Sequence, residues 1–264
     1  LGCGMEGLLQ QRHGDLFGIM NGVDYNEWSP EADVHLGGSN YGVANFREGK
    51  QACKAALQHS MWLPQATDAP LIAMIGRMAD QKGYDLVAQL IPHWVENSSA
   101  QWMILGNGEP HYHDLFNRLA SEHPEKVAVR LGFSNELAHR IEAAADIFLM
   151  PSRYEPCGLN QLYSLKYGTV PVVHATGGLA DSITNVTEAT LAAGTANGFS
   201  FDTYNVTALA DAVDRACRCF ANRPIWEQLI RTGMQQDWSW GHSAHEYVRL
   251  YKRTLAHAPL NAAR

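Results

Sequence analysis

Leu71-Ile-Ala-Met-Ile75-Gly76 is a short, uninterrupted apolar run that stops at a glycine. Parallel strands buried on both faces have this pattern, because neither face needs a polar alternate. The same unit recurs down the chain. Gln101–Leu105 ends at Gly106-Asn-Gly108, and Val127–Leu131 ends at Gly132. Ile147–Met150 leads to Pro151, and Val170–Val173 leads to Thr176-Gly-Gly-Leu179. Helical spacing separates the runs: Tyr84–Leu90, with Pro92 read as the start of a new turn, then 111–121, Asn135–Ala145 and Gly158–Tyr167. Strand, glycine-rich turn and helix alternate about five times. That predicts an α/β fold, a doubly wound Rossmann-like parallel sheet. Val206–Phe220, Ile225–Gln236 and Trp240–Thr254 read as three closing helices, and 47–59 is helix-like. The expected organisation is a linker and junction region over 1–68, a nucleotide-sugar-binding Rossmann-like domain over 69–239, and a closing helix and tail over 240–264.

Composition narrows the class. The 264 residues are 46% apolar and 18% charged, which excludes a disordered chain. A net charge of −7 argues against a non-specific binder of nucleic acid or anionic membrane. An anionic ligand then requires a local cluster of cations. No apolar run approaches the ~18 residues of a membrane helix. The opening Leu1-Gly2-Cys3-Gly4 has neither an initiator Met nor a signal pattern, and reads as an internal start. Five scattered cysteines do not form a disulfide framework and suggest a reducing compartment. Cys217-x-Cys219 lacks the gap of a zinc knuckle and reads as two ordinary helix cysteines. His111-x-His113 and His242-x-x-His245 have no convincing third ligand and read as surface histidines, so no metal site is expected. The sequons at Asn97, Asn185 and Asn205 read as chance matches.

In doubly wound sheets the ligand binds at the carboxyl ends of the strands. Three segments fall there. Gly76-Arg77-Met-Ala-Asp-Gln-Lys82-Gly83 carries two cations that can aim at one phosphate, Arg77 as a fork and Lys82 as a point charge. Solvated loop charges would read the same way. Pro151-Ser-Arg-Tyr-Glu155-Pro-Cys157-Gly158-Leu159-Asn160-Gln161-Leu162 puts a carboxylate beside a helix N-terminus. Such a terminus favours anions, while Glu155 suits sugar hydroxyls or simply complements the helix dipole. Thr176-Gly177-Gly178 lets backbone amides approach an oxyanion.

These segments, with Lys166-Tyr-Gly168, Asn21-Gly-Val-Asp24, Trp28, Pro30 and Asp237-Trp-Ser-Trp240, resemble bacterial glycogen synthase and plant starch synthase along nearly the whole chain. The resemblance implies the C-terminal, donor-binding domain of a GT-B glycosyltransferase. It implies a retaining hexosyltransferase that moves glucose from ADP-glucose to the 4-hydroxyl of an α-1,4-glucan end. By position, Arg77 and Lys82 would grip the diphosphate and Glu155 would contact the transferred glucose. Gly76, Cys157, Gly158, Leu159, Asn160, Thr176, Gly177 and Gly178 would line the donor site. Phe133 would face the adenine, though a packed core aromatic is the competing reading. Where the wider class often has a second Glu, this chain has Tyr163, and Asn160 stands where some members have Thr.

The family's Lys-Thr-Gly-Gly-Leu motif is absent here, and the implied partners are a missing N-terminal Rossmann-like domain, ADP-glucose and the glucan acceptor. No cofactor or metal is implied, and no nucleic acid or membrane. The expected location is the cytoplasm for a bacterial protein, or a plastid for a plant one. The isolated piece is expected to fold without elongating glucan, because the cleft needs two walls. The competing readings are another GT-B enzyme and a non-catalytic nucleotide-sugar-binding module.

Overall fold

The computed structural model describes residues 4–257; Leu1-Gly2-Cys3 and the end of the expected tail, 258–264, lie outside the described residues. In chain order, α1 (Glu6–Gln11) and α2 (Phe46–Ser60) precede β1 (Leu71–Met78). There follow α3 (Tyr84–Asn97), β2 (Gln101–Gly108), α4 (Pro110–Glu122), β3 (Val127–Leu131), α5 (Asn135–Ala144) and β4 (Ile147–Met150). Then come α6 (Asn160–Tyr167), β5 (Val170–His174), the short α7 (Gly177–Ser182) and α8 (Glu188–Ala192), and β6 (Phe199–Phe201). The chain continues through α9 (Val206–Ala221), α10 (Arg223–Gln235) and α11 (Trp240–His257).

The six strands form one parallel sheet in the order β3-β2-β1-β4-β5-β6. This is the doubly wound arrangement that the apolar runs predict. Leu71, Ile72 and Ala73 of β1, Trp102, Met103 and Ile104 of β2, and Ile147 and Phe148 of β4 are buried, which is why these strands tolerate no polar alternate. Three details differ from the expectation. Pro92 lies inside α3 rather than starting a new turn. Leu86, Val87 and Ile91 before it and Trp94 and Val95 after it are all buried, so packing outweighs the lost Pro92 hydrogen bond. Arg77 belongs to the last residues of β1, which runs on to Met78 through its pairing with β2. The sixth strand, β6, is three residues long and too short to announce itself in sequence.

Two compact units emerge. The larger, Val23–Asp237, holds the sheet. In it, residues ahead of β1 are fastened by a buried polar cluster. Tyr41 Oη donates to the Tyr167 carbonyl at 2.8 Å, and Lys50 Nζ donates to Thr169 Oγ1 at 2.9 Å and to the carbonyls of Ala143 and Tyr167. Asp33 accepts from Tyr167 Oη at 2.6 Å and from His139 Nδ1 at 2.8 Å. Burial pushes the Asp33 carboxyl up, but these bonds and the His35 amide outweigh it and hold it below its ordinary value. Trp28 stacks between His139, at 3.7 Å between ring centres, and Tyr163, at 3.9 Å. Tyr163 therefore presents an aromatic face where a carboxylate was the alternative. The smaller unit, Leu1–Gly22 with Trp238–Arg264, pairs the N-terminal segment with α11. Ser243 Oγ donates to the Met20 carbonyl at 2.8 Å there, and the Arg253 guanidinium covers the Phe17 ring.

The sequon asparagines hold structural positions: Asn205 caps α9, Asn185 Oδ1 accepts the Ser200 amide, and Asn97 bonds back to the His93 carbonyl. Cys217 and Cys219 sit part-buried on α9, and burial pushes the Cys217 thiol up to about 11. Among the described residues no helix is long and apolar enough to cross a membrane.

Glu142 yields a stability prediction. It is buried on α5, Ser164 Oγ donates to its Oε2 at 2.7 Å, and Oε1 has no partner among the described residues. Burial pushes its carboxyl up to about 8 from 4.5. A raised folded-state value favours the protonated form, so the contribution is complete below pH 4.5 and is lost as pH rises through 8. Neighbouring Lys50, which burial lowers to about 8, begins to lose its proton at the upper edge of that window. Glu142→Gln should flatten the fall in melting temperature between pH 5 and pH 8 that thermal unfolding will show for the unaltered chain. The gain at the upper end should be on the order of a few kcal/mol.

Candidate functional site

The strand order reverses between β1 and β4, whose chains leave in opposite directions and open a crevice at their carboxyl ends. The loops after these two strands are stitched together across it. The Arg153 amide donates to the Gln81 carbonyl at 3.0 Å, and Gln81 Nε2 donates to the Tyr154 carbonyl at 2.7 Å. Arg77 Nη2 donates to Gln81 Oε1 at 3.2 Å. Gly83 makes the approach possible: its φ is +81°, and a Cβ there would lie 2.1 Å from the Pro151 carbonyl oxygen.

At the centre, Lys82 Nζ meets Glu155 Oε2 at 2.6 Å. Ser152 Oγ donates to the same oxygen at 3.3 Å. Glu155 is 8% exposed, so its charge is held by these donors rather than by water. The ammonium has three N–H groups, and the carboxylate takes one of them here. Arg153 is bonded to Asp85 at 3.1 Å. Arg77 is exposed and, among the described residues, has no carboxylate within ion-pair distance. One paired and one unpaired cation thus face the crevice beside a fixed carboxylate.

The third segment closes the floor. The Gly178 amide donates to the Glu155 carbonyl at 3.0 Å, and a Cβ on Gly178 would lie 2.0 Å from the Cys157 carbonyl oxygen. Gln161 Nε2 donates to the carbonyls of Cys157 and Gly158, which fixes the turn ahead of α6. That helix begins at Asn160, two residues after Gly158, and Leu159 precedes it. Asn160 Nδ2 donates to the Ile75 carbonyl at 3.1 Å, so one amide hydrogen ties α6 to β1. Thr176 leads into α7, which starts at Gly177. Gly76, Arg77, Lys82, Glu155, 157–160 and 176–178 therefore share one edge of the sheet. Phe133 follows Gly132 on the loop after edge strand β3 and is 93% exposed, so it is not a core aromatic.

Sequence reasoning passed over four supports. Gln81 and Ser152 lie inside the quoted motifs, next to the charged residues that drew notice. His174, at the end of β5, has Nδ1 2.8 Å from the Ser152 carbonyl and Nε2 3.3 Å from that of Asp202. Tyr204, after the unforeseen β6, donates to Asp85 and lies under the Arg153 guanidinium. His111 pairs with Asp80 and Glu109 rather than with His113: one ligand atom from each of the three lies within 4.8 Å of the others. All three are exposed, and Tyr112 Oη already bonds Asp80. His113 Nε2 instead accepts the Gly108 amide.

The family model for glycosyl transferases group 1 matches residues 62–228. The chain is 47% identical over 257 residues to glycogen synthase of Rhodopirellula baltica, a match covering 97% of this chain and 50% of that protein. It is 49% identical over 259 residues to glycogen synthase of Anaeromyxobacter dehalogenans, covering 97% and 52%. Among solved structures it superposes on the catalytic domain of starch synthase IV from Arabidopsis thaliana bound to ADP and acarbose, with a TM-score of 0.87 at 32% identity. That match covers 97% of this chain and 52% of the other. The chain thus spans about half the length of the curated relatives it matches. With more than half of its residues under the family model and the doubly wound sheet to carry them, the chain belongs to the glycosyl transferases group 1 family.

Proposed function

We propose that this chain is the donor-binding part of a glycogen or starch synthase, which transfers glucose from ADP-glucose to the 4-hydroxyl of an α-1,4-glucan end with retention. The observation that carries the reading is the Lys82–Glu155 pair set across the strand-order reversal, in a chain 47–49% identical to glycogen synthases. Breaking the anomeric bond drives negative charge onto the leaving diphosphate. Arg77, Lys82 and the amides before α6 and α7 stabilise that charge from fixed positions. Glu155, already held by Lys82 and Ser152, faces the sugar hydroxyls. The two cations supply the charge stabilisation, so no metal is invoked. The acceptor site and the opposite wall of the cleft come from an N-terminal Rossmann-like domain.

The test is calorimetric titration of the chain with ADP and with UDP, followed by transfer assays on a protein that also carries the N-terminal domain. The reading requires ADP to bind in preference to UDP, and glucose to be incorporated from ADP-glucose. A preference for UDP would favour another GT-B transferase, and donor binding with no transfer would favour a non-catalytic module. Phe133 offers a sharper check. Because it is 93% exposed, Phe133→Ala should leave the melting temperature within about 1 °C. If the ring stacks on adenine, the same change should weaken ADP binding roughly 10-fold and leave pyrophosphate binding unchanged. Equal ADP affinity in the two proteins would remove Phe133 from the site.

A further inference from the structure

His174 closes β5 with 8% of its surface exposed, and both of its ring nitrogens meet backbone carbonyls. Nδ1 lies 2.8 Å from the Ser152 oxygen, on the loop after β4. Nε2 lies 3.3 Å from the Asp202 oxygen, on the loop after β6. A carbonyl oxygen only accepts, so each bond needs a hydrogen on the nitrogen. Neutral imidazole carries one such hydrogen and the imidazolium carries two. A neutral ring would leave a bare nitrogen set against one of the carbonyl oxygens. Both bonds form together only on the imidazolium.

The ring is fixed in this posture. Phe201 and Tyr204 pack against it, each at 5.3 Å between ring centres. His174 is still in register with Phe201 of β6, and the next amide, Ala175, donates to the Phe201 carbonyl at 2.9 Å. What Nδ1 holds is the start of the segment that carries Glu155. Ser152 is buried, and its hydroxyl donates to Glu155 Oε2 at 3.3 Å. The Glu155 carbonyl accepts the Gly178 amide at 3.0 Å. The end of β5 and the turn after it thus grip this segment twice, at Ser152 through His174 and at Glu155 through Gly178. Lys82 meets the carboxylate from across the crevice at 2.6 Å.

We propose that His174 is a positioning residue for glucose transfer: its imidazolium, donating at both ends, ties the Ser152 backbone to the β6 loop and so sets where the Glu155 carboxylate stands. It acts through Ser152 and Glu155 and is not itself a catalytic residue. The role rests on the synthase reading above and adds a pH dependence to it. The bridge is whole only while the ring keeps both hydrogens, so turnover falls as rising pH removes one of them. Glu155 reaches the ring through Ser152, Asp202 through its backbone, and Asp85 and Arg153 through Tyr204. Burial and Asp85 push the Tyr204 phenol up, so it keeps its proton throughout.

The test compares His174→Arg and His174→Gln in a protein carrying both domains. Arginine keeps its charge and several donors at every working pH, whereas the glutamine amide presents donors at one end and an oxygen at the other. His174→Gln should lower kcat for transfer from ADP-glucose roughly 10- to 100-fold while KM changes less than about 3-fold, since placement is what is lost. His174→Arg should keep most of the turnover at about pH 6. The ratio of its kcat to that of the unaltered protein should rise several-fold by about pH 9. Nitrogen-15 spectra of the unaltered 264-residue chain need no variant to fold. Both His174 ring nitrogens should carry hydrogen at about pH 6, and a bare nitrogen there would overturn the bridge. A flat ratio, or normal kcat in His174→Gln, would overturn this role alone. No transfer by the unaltered two-domain protein would overturn the synthase reading, and this role with it.

Discussion

Lys82→Ala should slow single-turnover glucose transfer several hundred-fold in a protein carrying both domains, while ADP affinity falls far less. The side chain sits 2.6 Å from Glu155 with two further N–H groups to offer a diphosphate. Its strongest contacts form as charge moves onto the leaving group, so its loss is felt in the transition state, at about 3–4 kcal/mol. The substitution also leaves Glu155, 8% exposed, with Ser152 as its only side-chain donor among the described residues. Arg77→Ala should follow the same direction without disturbing Glu155, because among the described residues the Arg77 side chain hydrogen-bonds to Gln81 and not to Glu155. Lys82→Ala and Glu155→Ala should be strongly non-additive in a double-mutant cycle, since each removes the partner of the other. Near-normal turnover by Lys82→Ala would end its assignment to the diphosphate.

Gly178→Ala should be the most damaging change of a single methyl group. The added Cβ would lie 2.0 Å from the Cys157 carbonyl oxygen and 2.6 Å from both the Cys157 carbonyl carbon and its Cα. These are backbone atoms, so no side chain can swing away to relieve the contact. The turn from Glu155 to Gly158 must move off α7, and the Gly178 amide bond to the Glu155 carbonyl goes with it. A displacement of about 1 Å at a reacting centre is enough for a roughly 100-fold loss of rate. Unfolding should report a destabilisation of about 2–4 kcal/mol as well. Full activity at wild-type stability would mean that the α7 turn does not set the position of Glu155.

The sheet was legible because β1, β2, β4 and β5 are buried on both faces and read as continuous apolar runs. Three-residue β6 lacks that length, and it took with it the loop that brings Tyr204 to Arg153. The charged members of the candidate site were legible because Lys82 and Glu155 follow strands and Arg77 stands at the end of one. What they touch was not, because Lys82 and Glu155 are separated by 73 residues and meet only through the strand order. Pro92 misled because a local rule was read without the buried Trp94 and Val95 beyond it.

Hydrogen–deuterium exchange of the chain, with and without saturating ADP-glucose, tests the central claim most directly. Slowed exchange confined to 76–83, 152–161 and 176–179 is the predicted result, because these backbones border the crevice between β1 and β4. Unchanged exchange in all three segments at saturating donor, or protection at the amino ends of the strands instead, would contradict it.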